Sequence, residues 1–250
     1  MRLMRRLQLL PVGSLVKTGR VDHADWNYRP LLGFVQRQRF KLCRRLMAPL
    51  PSGRVLEIGY GSGAFMPELH SHSTSLFGAD VHPFASAVAA VLREHEVEAH
   101  LAQASAERLP FRDASFDLLV TISALEFVPD LVGACQELRR VLKPSGALVV
   151  VTPGASPAID FGFKLLTGED PEADFGDARQ RVRQTLLRYF AIDKELRFPP
   201  LVGRCLCLYR ALRLRPVVTS CTAGQSDPAA KAAPPVLACS SADPDNDSLP

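Results

Sequence analysis

Apolar side chains recur along this chain with two different periods, and the change from one to the other marks its elements. Between residues 31 and 50, Val35, Leu42 and Leu46, beside Phe40, Cys43 and Met47, fall at helical spacing with Arg37, Arg39, Arg44 and Arg45 between them. That spacing predicts an amphipathic helix ahead of the core. The run Arg54-Val55-Leu56-Glu57-Ile58 reads as a short strand that breaks at Gly59-Tyr60-Gly61-Ser62-Gly63, and residues 64–70 can start a helix. A second strand, Ser75-Leu76-Phe77-Gly78-Ala79-Asp80, ends in an acid and leads into an Ala-rich helix over 83–94, with Pro83 at a position helices tolerate. Alternation over 97–102 predicts a third strand. The nearly unbroken apolar stretch 116–122 predicts a fourth, buried on both faces. Leu131, Ala134, Cys135, Leu138, Val141 and Leu142 form one stripe of a helix over 129–142, and a turn at 143–146 leads to a fifth strand, 147–151. Beyond residue 154 the pattern changes to a helix over 179–190 and two strand-like pieces, 194–198 and 204–209. With no helix between them, those two pair antiparallel. Five strands alternating with helices argue an α/β fold: a doubly wound, mainly parallel sheet with an antiparallel C-terminal strand pair.

Composition narrows this only a little. The 250 residues suggest one domain with appendages, and 47% hydrophobic with 22% charged residues excludes collagen, coiled coil and wholesale disorder. No run of eighteen apolar residues suggests a membrane span. The start resembles a leader's charged region, but Pro11 and Gly13 interrupt its apolar stretch, so the expected location is cytoplasmic. We divide the chain into a basic N-terminal arm and amphipathic helix (1–50), a catalytic-type domain (51–215) and a tail (216–250). The tail has six prolines and no aromatic residue, which predicts disorder. The six cysteines lack metal or disulfide spacing, and Cys205 and Cys207, two apart in a strand-like run, read as core positions. His70 and His72 read as a solvated turn.

Charge is uneven. Residues 1–54 sum to +10, 55–178 to −11, 179–215 to +8 and 216–250 to −3. Two basic flanks around an acidic centre fit either an anionic partner or plain solvated faces. With Leu3, Met4, Leu7 and Leu10 on one helical face, the N-terminal arm is a candidate peripheral contact with an anionic bilayer. Nucleic acid is disfavoured as a partner, because the basic flanks lack interleaved aromatic residues.

Glycines at 59, 61 and 63 allow a tight turn and a close approach to a ligand beside the following helix's positive end. Alone they are ambiguous. Gly59-Tyr60-Gly61-Ser62-Gly63-Ala64 also satisfies the dinucleotide pattern, with Asp80 placed 21 residues on as a ribose-binding acid.

Further residues separate the two. Glu57-Ile58-Gly59-Tyr60-Gly61-Ser62-Gly63, Asp80, Ala106-Glu107-Arg108-Leu109-Pro110-Phe111 with Ser115-Phe116-Asp117, and Leu138-Arg139-Arg140-Val141-Leu142-Lys143-Pro144-Ser145-Gly146 occur in order between residues 54 and 152. Together they resemble the Rossmann-like class I S-adenosylmethionine-dependent methyltransferases, in particular the group containing the ubiquinone and menaquinone biosynthesis enzymes. The resemblance implies that Glu57 lies near the methionine ammonium of S-adenosylmethionine and that the Gly59, Gly61 and Gly63 backbones line its methionine and ribose. It implies that Asp80 accepts both ribose hydroxyls, Val81 packs on the adenine, and Ser105 and Ala106 flank the base. Ser105 stands where the family often has Asp. Asp117, at the start of a strand, reads as structural.

For a phenol or alcohol acceptor a general base helps, and Glu126, four residues past Ile122, is the catalytic candidate; its alternative is a solvated loop acid. Phe127 stands where relatives often have His, which suggests a small apolar or lipid-like acceptor. Acceptor selection is expected from Trp26 and Tyr28, as a lid or as a pin for the arm, and from the insert at 153–175. The competing readings are a binding module without turnover and a nicotinamide oxidoreductase.

Overall fold

Strand β1 (Gly53–Ile58) and strand β4 (Phe116–Ile122) are mainly apolar, and they lie side by side in the middle of the sheet. The computed structural model describes residues 6–19, 22–154, 178–200 and 207–217. With β2 (Ser73–Asp80), β3 (His100–Gln103), β5 (Leu142–Pro153), β6 (Phe190–Phe198) and β7 (Tyr209–Pro216), the strands form one sheet in the order β3-β2-β1-β4-β5-β7-β6. The first five are parallel, and β7 runs antiparallel to both β5 and β6. The chain order reverses between β1 and β4, so a crevice opens beyond the carboxyl ends of those two strands.

Strand alternation puts successive side chains on opposite faces. Val55, Val120 and Val149 enter one core with Leu42 and Leu46 of helix α1 (Pro30–Met47), Met66 and Leu69 of α2 (Met66–His70), and Val88 and Leu92 of α3 (Ala85–Glu94). Leu56, Leu119 and Leu148 enter the other with Ala134 and Leu138 of α4 (Leu131–Val141) and Val182 and Leu186 of α5 (Ala178–Tyr189). Local signals fix the helix starts. Pro30 opens α1 at a position that needs no N–H, and Asp130 caps α4 by accepting from the Val132 and Gly133 amides at 3.1 and 2.9 Å. Asp117 ties down the base of β4, accepting from the Arg54 amide at 2.9 Å and from Lys143 Nζ at 2.6 Å.

Four expectations are corrected. The third strand begins at His100, because Glu96, at φ 58°, ends α3 in the left-handed conformation and the Val97 amide returns to the Leu92 carbonyl at 2.9 Å. Val97 thus caps a helix and packs in the core. The last strand begins at Tyr209, where 204–209 had been expected; 204–206 lie outside the described residues. Its arginines imitate a solvated face, but Arg213 pairs with Asp193 of β6 at 2.6 Å, and Leu212 and Leu214 enter the core. The turn expected at 143–146 is an irregularity within β5, between the pairs Phe116–Leu142 and Leu118–Ala147. The arm is not helical over residues 6–11: Leu10 is fully buried and donates its amide to the Ala64 carbonyl at 3.1 Å, so its apolar side chain is taken up by the core. Leu3, Met4, Cys205, the insert at 155–175 and the tail beyond 217 lie outside the described residues.

Candidate functional site

The end of β1 turns away at Gly59, where φ is +75° and an added Cβ would lie 2.3 Å from that of Ala124. Only glycine fits both constraints. The loop it begins frames a cavity of about 480 Å³ above the carboxyl ends of β1, β2 and β4. The wall opposite comes from α1 and the 3-10 turn Ala24–Tyr28 that precedes it.

At the end of β2, Asp80 Oδ2 accepts from the Gly61 amide at 2.8 Å. His82 completes a small network. Its Nδ1 accepts from the Phe84 amide at 3.1 Å, so Nε2 carries the proton and donates to the Gly61 carbonyl at 3.0 Å. The glycine loop is therefore gripped through both its N–H and its C=O, while Asp80 keeps acceptor capacity at the cavity wall.

Glu57, two residues before the turn, is 4% exposed, and its Oε2 has no hydrogen-bond partner among the described residues. Burial, reinforced by the Asp80 charge and opposed by Arg39, pushes its carboxyl well above the usual carboxylate range. A buried acceptor left unmatched costs free energy that a cationic ligand would recover. Arg39 of α1 also lines the cavity; its guanidinium lies over the Phe40 ring at 4.8 Å and its Nε is shielded without a partner. Burial lowers its affinity for the proton, against the opposing pull of Tyr209, Asp22 and Glu57. An anionic ligand group would suit it as a cation suits Glu57.

The remaining lining is largely apolar, with Trp26, Val35, Phe40, Phe127, Val128 and Leu208 among its members. His23 stacks on Trp26 with ring centroids 4.0 Å apart, and it too lines the cavity.

Of the residues expected at the site, Glu57, Gly59, Gly61, Asp80, Val81, Ser105 and Ala106 share this one cavity. Gly63 does not line it: a Cβ there would meet Val88 at 3.0 Å, so that glycine serves the packing of the loop on α3. The Ser105 hydroxyl is engaged locally, donating to Glu107 Oε2 at 3.1 Å and accepting from the Glu107 amide at 3.2 Å. Trp26 faces the cavity, whereas Tyr28 pins the arm by donating its hydroxyl to the Leu10 carbonyl. Glu126 matches neither expectation for it. It is 7% exposed rather than solvated, it is absent from the cavity lining, and neither carboxyl oxygen has a hydrogen-bond partner among the described residues. Burial raises its pKa to about 7, with Arg179 opposing. Arg39, His82 and Arg179 were not singled out from sequence. Arg39 was visible only as one of several arginines on a helix, and His82 only as a polar residue two beyond a strand-ending acid.

Fold and site together define an α/β domain built to hold a nucleoside-like ligand bearing both charges. Residues 56–150 match the family described as "Methyltransferase domain". The chain is 34% identical over 105 residues to phosphatidylethanolamine N-methyltransferase of Cereibacter sphaeroides, covering 40% of this chain and 50% of that protein. It is 30% identical over 127 residues to demethylmenaquinone methyltransferase of Beutenbergia cavernae, covering 49% and 52%. It thus spans about half the length of these curated relatives. The N-methyltransferase NodS of Bradyrhizobium japonicum, solved with S-adenosyl-L-homocysteine, shares the fold with a TM-score of 0.57 at 18% identity, covering 80% of this chain and 95% of that one. Residues 56–150 thus carry a methyltransferase domain, on a fold shared with a solved N-methyltransferase.

Proposed function

We propose that this protein transfers the methyl group of S-adenosylmethionine to a small apolar or lipid-like acceptor by in-line displacement. The observation that carries the reading is the buried Glu57 carboxyl, whose Oε2 has no partner among the described residues, beside Asp80 in a glycine-framed cavity of about 480 Å³. These residues fit the cofactor. Glu57 would hold its ammonium, Arg39 its carboxylate and Asp80 its ribose hydroxyls, with Val81, 67% exposed at the rim, against the base. When bound, the sulfonium supplies an activated methyl group, so the hard chemistry belongs to the cofactor.

The chain's own part is then binding, orientation and exclusion of water. Holding an acceptor in near-attack geometry can lower a barrier by ~7 to 11 kcal/mol, so a dedicated base is optional. Glu126 lies outside the cavity lining and is not assigned that role. An apolar acceptor is supported by the Trp26, Phe127, Val128 and Leu208 wall. The names of the two relatives, which refer to phosphatidylethanolamine and demethylmenaquinone, point the same way.

The test is transfer of label from methyl-labelled S-adenosylmethionine to a lipid extract and to a water-soluble small-molecule fraction. The reading expects label in the lipid fraction. Label confined to water-soluble polar compounds would remove the apolar acceptor. Binding of NAD without binding of S-adenosylmethionine would replace the reading with an oxidoreductase.

A further inference from the structure

A second cavity, of about 300 Å³, shares Pro153, Gly154 and Arg179 with the first. Its character is different. Arg179 and Arg183 of α5, four residues apart and so on one face of the helix, line it together with Arg210 of β7. Arg210 stands in register with Thr152 of β5 on one side and Arg197 of β6 on the other, and the Thr152 side chain adds a hydroxyl to the lining.

Among the described residues, two carboxylates face this charge. Glu195 is shared between Arg197, at 2.6 Å, and Arg210, at 3.3 Å. The Arg179 charge acts on Glu126, and Arg179 Nη1 donates to the Gly154 carbonyl at 2.9 Å. Arg183 Nε is shielded from solvent and has no hydrogen-bond partner among the described residues. A shielded guanidinium donor left unmatched costs free energy. An anion beside Arg183 removes that cost, and the planar fork of arginine matches the oxygens of phosphate and carboxylate.

We propose that this second cavity binds the anionic group, a phosphate or a carboxylate, of the molecule whose apolar part occupies the first cavity. The link to that molecule rests on the methyl-transfer reading. Arg179, common to both linings, is the point where the apolar and the charged parts of one ligand meet. The acceptor is on this account amphiphilic and acidic.

Isothermal titration of the full chain, saturated with S-adenosylhomocysteine, tests it with dodecyl phosphate, laurate, dodecanol and inorganic phosphate as probes. Dodecyl phosphate or laurate should bind at least about tenfold more tightly than dodecanol, an advantage typical of one charged hydrogen bond. Arg183→Gln should abolish that advantage, and Arg183→Lys should keep part of it. Equal binding of dodecanol and both acidic probes overturns the proposal, as does an advantage that survives R183Q. If inorganic phosphate alone binds as tightly as dodecyl phosphate with the same dependence on Arg183, the cavity takes a free anion and the assignment to the acceptor is overturned. S-adenosylhomocysteine titrated alone separates the two readings: its failure to bind defeats methyl transfer, whereas an Arg183-dependent anion preference concerns only the second cavity.

Discussion

Replacing Glu126 by Gln separates a buried, unpaired carboxyl from a catalytic base. With its pKa raised from 4.5 to about 7, the group takes up a proton on folding between those values. Its effect on stability therefore has a definite sign. Below pH 4.5 it is neutral in both states and costs nothing. As pH rises through 7 the folded protein must either hold a neutral acid against the solution or bury a charge. A shift of this size amounts to roughly 3 kcal/mol of destabilisation fully present at pH 8, and to about 1 kcal/mol at pH 5. Gln has the shape of the neutral acid and does not titrate. Urea unfolding of the wild type and E126Q at both pH values should therefore show the variant gaining about 3 kcal/mol at pH 8 and about 1 kcal/mol at pH 5. Because the side chain lies outside the cavity lining, methyl transfer by E126Q should remain within about threefold of wild type, less than the ~100-fold or more expected on loss of a general base. A gain that does not vary with pH would refute the buried-carboxyl reading. A hundredfold loss of activity would restore the base.

Other substitutions probe the arm, the turn and the ribose acid. Leu10→Ala should cost about 2–5 kcal/mol in urea unfolding, since the side chain is fully buried; a surface arm would lose no more than about 0.5 kcal/mol. Gly59→Ala should destabilise the fold and abolish cofactor binding, because the new Cβ meets Ala124 at 2.3 Å in a left-handed backbone; calorimetry showing intact binding would contradict the cradle. Asp80→Asn should weaken S-adenosylhomocysteine binding by roughly tenfold or more through loss of charged acceptors to the ribose, measured by titration, and unchanged affinity would remove Asp80 from the site.

Much of the architecture was legible because its signals are local. The apolar runs of β1 and β4, the acid ending β2 and the stripe of α4 each declare themselves within a dozen residues. Glu57, Gly59 and Asp80 were legible as a motif, since a buried acid, a left-handed turn and a strand-end acid must keep fixed spacings to meet at a switch point. What the chain's linear order concealed depends on contacts made across it. Arg39 enters the cavity because α1 packs over the sheet, and nothing in its local pattern separates it from Arg37 or Arg44. The arginines of β7 look solvated until Asp193 and Glu195 of β6 are placed beside them. Leu7 and Leu10 fit a helical stripe, yet they belong to a non-helical segment in which Leu7, Leu9 and Leu10 all pack on the core. Gly63 shares the spacing of the cofactor glycines, yet its neighbour is Val88.

The role of Glu57 admits the most direct measurement. S-adenosylmethionine is titrated calorimetrically into the wild type and Glu57→Gln at pH 6, in two buffers of different ionisation enthalpy. Burial pushes the carboxyl well above the usual carboxylate range in the free protein and a facing ammonium pulls it down, so wild-type binding should be saturable, with any proton exchange in the direction of release. E57Q should bind at least about tenfold more weakly, without that release. Absence of binding by the wild type, or identical affinity and proton balance in the two proteins, would contradict the assignment of this cavity to the cofactor.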